Sequence, residues 1–513
     1  MTEGVEDGRG FRVVVVGGGS AGWIAACRIA AAHEDASVTL IESPTTPPIG
    51  VGEGTWPTMR NTLARIGIAE ADFIREADAA LKQGARFVGW THGGEDAYYH
   101  PLNPPIGAGE VDLASRWVDG GGGNTSFADC VDFQASLCDA GLAPKKITSP
   151  QFSGIANYAY HLDAGKFAEL LRRHGTERLG VRHIRQDVTT VDQAENGDIT
   201  ALHLADGSLQ AGDLFVDCSG FKGLLIGGVY GVGLRDRSDV LFADRALALQ
   251  VPYDTPDAPI TCHTVSTAQS AGWIWDIGLW SRRGIGHVYS SAHISDDEAE
   301  RQLRAYVGPQ AEGLTARRLT INAGQRRIFW QNNCVAVGLS AGFLEPLEAS
   351  SLMLVEVAVD AIADRLPRTP AAMRVAARQF NAAFDHHWER VVEFLKLHYV
   401  LTRRTDSDFW RDNVAATSVP DGLADRLELW RAHPPGPADF PHAPEVFGWP
   451  SYQYVLHGMD FETRYAEFAP PARHAKADRL IARAAGMKAE AARALPRHRE
   501  LLRAIRDHGL QAV

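Results

Sequence analysis

The stretch FRVVVVGGGSAG, residues 11–22, decides the fold. A β-branched run enters a glycine turn, WIAACRIAAAHE (23–34) follows as a helix, and SVTLIES (37–43) supplies a second strand. Strand, turn, helix and strand make a βαβ unit, which predicts an α/β protein. Gly17-x-Gly19-x-x-Gly22 occupies the turn, and Glu42 closes the second strand 25 residues after Gly17. Each part has a physical task. The glycines permit a tight turn and close approach of a pyrophosphate, the helix N-terminus stabilises its charge, and Glu42 can accept a hydrogen bond from a ribose hydroxyl.

FAD and NAD both satisfy that first unit. Downstream, GDLFVDCSGFKG (212–223), with Asp217, and CVAVGLSAG (334–342) add two more strand-and-turn segments. Flavoproteins of the glutathione-reductase-like fold reuse one sheet in this order, which favours FAD. The expected class is therefore α/β, a Rossmann-type FAD-binding module interleaved with a substrate-side sheet and followed by a mostly helical C-terminal region. The expected division is 1–350 and 351–513.

With 513 residues, 45% hydrophobic and 22% charged, the chain is long enough for a large core and is neither disordered nor collagenous. A net charge of −12 argues against a general nucleic-acid binder and a basic membrane-surface protein. Six scattered cysteines without a CxxC pair fit a reducing, cytoplasmic setting better than a disulfide framework, and no metal site is expected. The acidic start MTEGVEDGRG lacks the positive n-region of a secretion signal, and Arg28 with the glycine cluster interrupts the one membrane-like stretch, 13–32. Residues 471–513 carry ten Lys/Arg against four Asp/Glu, read as a solvated helix face.

Periodicity predicts a helix over Ala69 to Lys82 and a loop at the glycine-rich Asp119 to Asn124. It predicts sheet from about Val181 to Cys262, paired strands over Trp273 to Ser291, and helix through most of the chain beyond Ala349, interrupted by a proline-rich surface loop at 433–444. Gly338-Leu339-Ser340-Ala341-Gly342 matches a nucleophile elbow, with His386, His387, His398 or His442 as formal partners; a hydrolase would leave the N-terminal fingerprint idle. Adjacent His386 and His387 face apart on a helix, which disfavours a metal pair.

Three segments, VVVVGGGSAGWIAA (13–26), GWIWDIGLWSRRGIGHVYSS (272–291) and VAVGLSAGFLEPLEAS (335–350), together resemble the flavin-dependent tryptophan halogenase family. VGEGTWPT (51–58) and ALKQGARFVGW (80–90) fall where that family has matching blocks. Its WxWxIP motif is present as Trp273-Ile274-Trp275-Asp276-Ile277, with Gly278 replacing proline. The resemblance implies an FADH2-dependent enzyme in which oxygen gives a flavin hydroperoxide, chloride or bromide attacks it, and hypohalous acid travels through a tunnel to a lysine beside an aromatic substrate. A separate flavin reductase supplies FADH2, and homodimers are common in the family.

By this resemblance Lys82 is the tunnel-end lysine, read as standing in the last turn of the helix before Gly84. Glu348 is the catalytic glutamate, which orients the halogenating species and takes the ring proton. Gly17, Gly19, Ser20, Ala21, Gly22, Glu42, Gly338 and Leu347 hold the cofactor. The amides of Ser350 and Ser351 bind halide, although Ala349 and Ser351 depart from the family's usual serine and glycine. Trp273 and Trp275, two apart on a strand and so on one face, wall the tunnel. His100 is a substrate-side histidine, and Trp449 an aromatic against the substrate.

Members acting on free tryptophan carry a Tyr-Tyr pair shortly before that aromatic. Here the region reads PADFPHAPEVFGW, without one. Hydrogen bonds to charged groups contribute about 1.5–3 kcal/mol each, so losing two weakens free tryptophan by on the order of 10² or more. The expected substrate is an indole-like or other electron-rich aromatic. A flavin monooxygenase that hydroxylates is the alternative enzyme.

Overall fold

Four consecutive valines place β1 (Phe11–Val16) at the centre of a six-stranded sheet, because such a run suits a strand covered on both faces. The order is Trp330–Gln331, Cys334–Ala336, Leu214–Asp217, β1, β2 (Ala36–Glu42) and Arg182–Arg185. All neighbours are parallel except the outermost pair at Trp330–Gln331. On one face lies α1 (Ser20–Ala32), with Trp23, Ile24 and Cys27 buried, and it packs in turn on the helices Ala164–Glu177 and Ser350–Ala363. On the other face Val14, Val16 and Phe215 meet Ile199 and Leu202 of a three-stranded antiparallel layer. This computed structural model describes residues 10–45, 52–441, 445–464 and 471–510; Val51 of the 51–58 block, His442 and the end of the 433–444 loop lie outside them.

A second, seven-stranded sheet runs Arg317–Thr320, Arg245–Pro252, Arg282–Tyr289, Gly272–Gly278, Thr264–Gln269, Gly84–Val88 and Ala97–Pro101. Its strands alternate along the chain with those of the first sheet, so the FAD-type module and the substrate-side sheet are interleaved. A small sheet, Gly52–Gly54, Ala159–Asp163 and Ala80–Lys82, bridges the two. Beyond residue 350 helices dominate, the longest being Pro370–Val400 at 31 residues. The basic tail forms Pro471–Ala494 and His498–His508. The second of these is docked by Arg75 Nε donating to the Arg506 carbonyl at 2.9 Å and by Arg506 Nη1 donating to the Ile74 carbonyl at 3.0 Å.

The predicted helix over 69–82 ends early. It spans only Glu70–Glu76, because Asp78 adopts a left-handed φ of 55° and the Ala79 N–H bonds back to the Ile74 carbonyl at 3.2 Å, closing a Schellman turn. Ala80–Lys82 then pairs with Ala159–His161. Lys82 is thus a strand residue, and the helix-end role for its charge is removed. The glycine-rich stretch expected as a loop instead joins a π-helical turn, Trp117–Gly121, in which Gly120 takes a φ of 81°.

Candidate active site

The candidate residues gather in two regions, and the first is the glycine turn. Gly17 has a φ of 124°, and a Cβ there would lie 2.1 Å from the Cys218 carbonyl oxygen; one on Gly22 would lie 1.9 Å from the Gly17 oxygen. The turn is closed against its own backbone and against the strand end at 218. Gly19, by contrast, is extended, forms an N-cap of α1 without a side-chain bond, and would direct a Cβ into space with nothing within 4 Å. An open concavity over an uncapped helix start fits a pyrophosphate. Gly338, with a φ of 68°, brings the third turn so close that a Cβ there would sit 2.7 Å from that of Ala21. The Ser20 hydroxyl bonds the Ala164 carbonyl at 3.5 Å, which leaves the Ser20 amide for an anion. Glu42 lies across Gly18 and meets His183 Nε2 at 2.8 Å. These residues fit the adenosine diphosphate half of FAD.

The second region is assembled from five separate segments. Lys82 is 2% exposed, and its Nζ donates to the Thr55 carbonyl at 3.3 Å. An ammonium has three protons to donate, so this single bond leaves two for a ligand. Burial pulls Lys82 down to about 8 while the Glu348 carboxylate pulls it upward. Glu348 is equally buried and lies 2.7 Å from His100 Nδ1 and 3.3 Å from His398 Nε2. The His398 contact lacks hydrogen-bond geometry, leaving Nε2 without a partner. Burial alone would raise the Glu348 carboxyl, but the two imidazoles outweigh it and hold the group well below the usual carboxylate range.

The backbone here is strained. Glu348 and Ala349 take φ of 63° and 55°, a left-handed pair of non-glycine residues immediately before the helix Ser350–Ala363. Such conformations cost about 1–3 kcal/mol each and persist only where surroundings over-determine them. One such restraint is Trp56, whose Nε1 donates to the Glu348 carbonyl at 2.6 Å. Ser350 and Ser351 hold the first positions of the helix, whose N-cap Ala349 offers no side-chain acceptor. Leu347 is fully buried in the turn before Glu348.

Trp273 is buried and tilted against Trp90 at 6.3 Å, and Trp275 packs edge-on to it at 6.4 Å. Trp275 also lines a cavity of about 290 Å³ with Gly52 and Arg282, and neither Lys82 nor Glu348 is in its lining. Trp449 stands half-buried at the start of the helix Trp449–Gly458, with no hydrogen bond or ring contact to the cluster among the described residues. Phe447 packs against the cluster, 4.0 Å from Phe394 and 5.2 Å from Trp56. Phe394 and His398 lie one turn apart on a helix and reach the cluster together.

Sequence reasoning missed Trp56, Phe394, Phe447 and the role of His398, which it offered only as a hydrolase partner. The GEGTWP block held the one available signal, for Thr55 and Trp56. Ser340 is no exposed nucleophile: it is fully buried and its hydroxyl bonds Asp217 at 3.1 Å and the Gly220 carbonyl at 3.2 Å. Among the described residues no helix is long and apolar enough to cross a membrane.

Comparison with known proteins gives the family. The family model described as tryptophan halogenase matches residues 12–474. A tryptophan halogenase structure from Shewanella frigidimarina superposes with a TM-score of 0.95 at 42% identity, covering 98% of this chain and 99% of that one. The tryptophan 6-halogenase SttH of Streptomyces toxytricini is 35% identical over 86% of this chain and 88% of its own. The tryptophan 7-halogenase RebH of Lentzea aerocolonigenes is 33% identical, with 82% of each covered.

Proposed function

The chain belongs to the tryptophan halogenase family and is a flavin-dependent halogenase using FADH2, oxygen and halide; on that premise we propose that Lys82 and Glu348 direct hypohalous acid onto an electron-rich, indole-type ring. The hydroxylase alternative falls with the family assignment. The observation that carries the residue roles is the buried pair itself, a lysine with two free donors beside a carboxylate that two histidines hold ionised.

Gly17, Gly19, Gly22, Gly338 and the amides of Ser20 and Ala21 would hold FAD, with Glu42 on its ribose and Leu347 against it. Bound as FADH2, with oxygen and halide, the cofactor supplies hypohalous acid. The helix-start amides of Ser350 and Ser351 hold the halide. At the far end the Lys82 ammonium donates to the oxygen of hypohalous acid, which aims the halogen at the ring and eases departure of that oxygen as water. The ring cation formed is a far stronger acid than any carboxylic acid. Glu348 therefore takes its proton even though His100 and His398 keep the carboxyl strongly ionised. Trp56, Phe394 and Phe447 offer the aromatic surfaces on this side. Residues 1–350 supply Lys82, Glu348 and the glycine turns, while 351–513 add Ser351, Phe394, His398 and Phe447 and cover the substrate. FADH2 comes from a separate reductase, and cysteines that are free and scattered support a reducing, cytoplasmic setting.

Substrate choice follows from the segment before Trp449. Phe440 is spent on Trp430 and Tyr452, Phe447 on Phe394, and Glu445 on His386. No Tyr-Tyr pair stands there to hold an amino acid's charged groups. Indole and tryptophan at equal concentration, with a flavin reductase and bromide, give a product ratio that favours indole. A tryptophan preference of about tenfold or more overturns the substrate assignment.

A further inference from the structure

Cys138, on the helix Gln134–Asp139, meets Cys262 and His263 behind the strand that carries Lys82. One sulfur or nitrogen from each side chain lies within 4.8 Å of the other two, and all three residues are buried. The Cys262 sulfur is 4.0 Å from the Cys138 carbonyl oxygen. The Cys262 carbonyl in turn accepts the Gln83 N–H at 2.7 Å, which places Cys262 opposite the residue after Lys82. His263 Nδ1 is buried without a partner.

His161 links this cluster to the Lys82 side. Its Nε2 is 2.9 Å from the Thr264 hydroxyl, next in chain to His263, and its Nδ1 is likewise buried without a partner. A Cβ at Gly54 would lie 3.5 Å from Lys82 Nζ and 3.7 Å from the His161 ring. His161 thus stands near both Lys82 and His263, between the lysine and the cysteine pair. The two sulfurs are unequal: the Cys138 thiol and His263 draw Cys262 down against its burial, while burial pushes Cys138 up. Two sulfurs this close with an imidazole beside them are the arrangement of a dithiol that closes readily.

We propose that Cys138 and Cys262, with His263, form a buried dithiol that intercepts hypohalous acid straying from Lys82 and closes to a disulfide. This rests on the halogenase reading for the source of its oxidant. The Cys262 thiolate attacks the halogen, forming a sulfur–halogen bond and releasing hydroxide. The Cys138 sulfur then attacks the Cys262 sulfur, expelling halide and giving its proton to the hydroxide. Two electrons pass from the sulfurs to the halogen, and the products are one disulfide, one halide and one water. Closure takes the sulfurs from within 4.8 Å of one another to about 2.05 Å. A tetrahedral zinc would hold donors about 3.5–3.8 Å apart and four in number, which three donors spread over as much as 4.8 Å do not match.

The test treats the full-length, FAD-loaded protein with one equivalent of hypobromite, quenches into denaturant with an alkylating agent, and maps the peptides. The expected result is a Cys138–Cys262 disulfide at least about fivefold above any product at Cys27, Cys130, Cys218 or Cys334. Even oxidation of all six, or both target sulfurs recovered alkylated, overturns the proposal. In a second arm, turnover with reductase and bromide but no aromatic acceptor forms the same disulfide, and acceptor suppresses it. If turnover yields no halogenated product from any acceptor, the halogenase reading fails while the hypobromite arm still decides the dithiol. Stoichiometric zinc in the purified protein that is lost in Cys262→Ser also overturns it. Cys138→Ser keeps its initial halogenation rate within about twofold but loses activity several-fold sooner during turnover, and an unchanged working lifetime contradicts the role.

Discussion

The glycine turn and the Lys82–Glu348 cluster differ in how they are held. The turn is largely local: Gly22 closes on Gly17, Gly17 on the adjacent strand end at Cys218, and Gly19 alone of the four glycines is left facing open space. The cluster is distant and costly. It gathers residues 55, 82, 100, 348 and 398, buries an ammonium and a carboxylate, and sets two non-glycine residues in left-handed backbone. The glycine turn is built chiefly from one short segment, whereas the cluster depends on the whole fold keeping charged groups out of water.

That contrast can be broken by substitution on either side. Glu348→Gln keeps the size and the hydrogen bond but cannot take a proton, so halogenated product falls by about 10²-fold while FADH2 oxidation continues. An equal fall in both rates would place Glu348 in cofactor chemistry and erase the division. Gly19→Val adds atoms where the protein has none within 4 Å. The apoprotein's melting temperature stays unchanged while FAD binding, read by flavin fluorescence titration, weakens roughly 10- to 100-fold, the equivalent of about 1–3 kcal/mol of overpacking. Unchanged affinity would move the pyrophosphate elsewhere.

A smaller effect comes from pH. Lys82 is lowered from 10.5 to about 8, so its ammonium dominates below pH 8 and falls tenfold per unit above it. Product per FADH2 consumed therefore declines above pH 8, by about tenfold at pH 9 relative to the plateau. A rise through pH 8 would mean that the free amine works instead, through a haloamine. The linked stability change has the opposite sign. Between about 8 and 10.5 the unfolded chain binds more protons than the folded one, so the cost of burying Lys82 is full at neutral pH and fades as pH rises through that window.

The same contrast explains what could be read before folding. The βαβ unit, the paired strands at 272–289 and the helical end are dictated by local pattern, and the structure has them. Lys82 was found through its block, but its setting was misread. Helical spacing runs through 69–82, and only the left-handed turn at Asp78, stabilised by contacts to Ser281 and Lys166 from distant segments, breaks it. His398 sits in an unbroken 31-residue helix with nothing local to mark it. Trp449 is placed against the substrate by the resemblance alone; in the structure it opens the helix Trp449–Gly458, and Phe447 is the aromatic that contacts Trp56 and Phe394.

The central claim is that Lys82 acts on hypohalous acid after it is made. Stopped-flow reoxidation of FADH2 in Lys82→Ala, run beside quantification of the aromatic product, tests it in one experiment. The account predicts reoxidation at the wild-type rate with product reduced by about 10²–10⁴-fold. Retention of more than about a tenth of the product, or a matching collapse of flavin reoxidation, would contradict it.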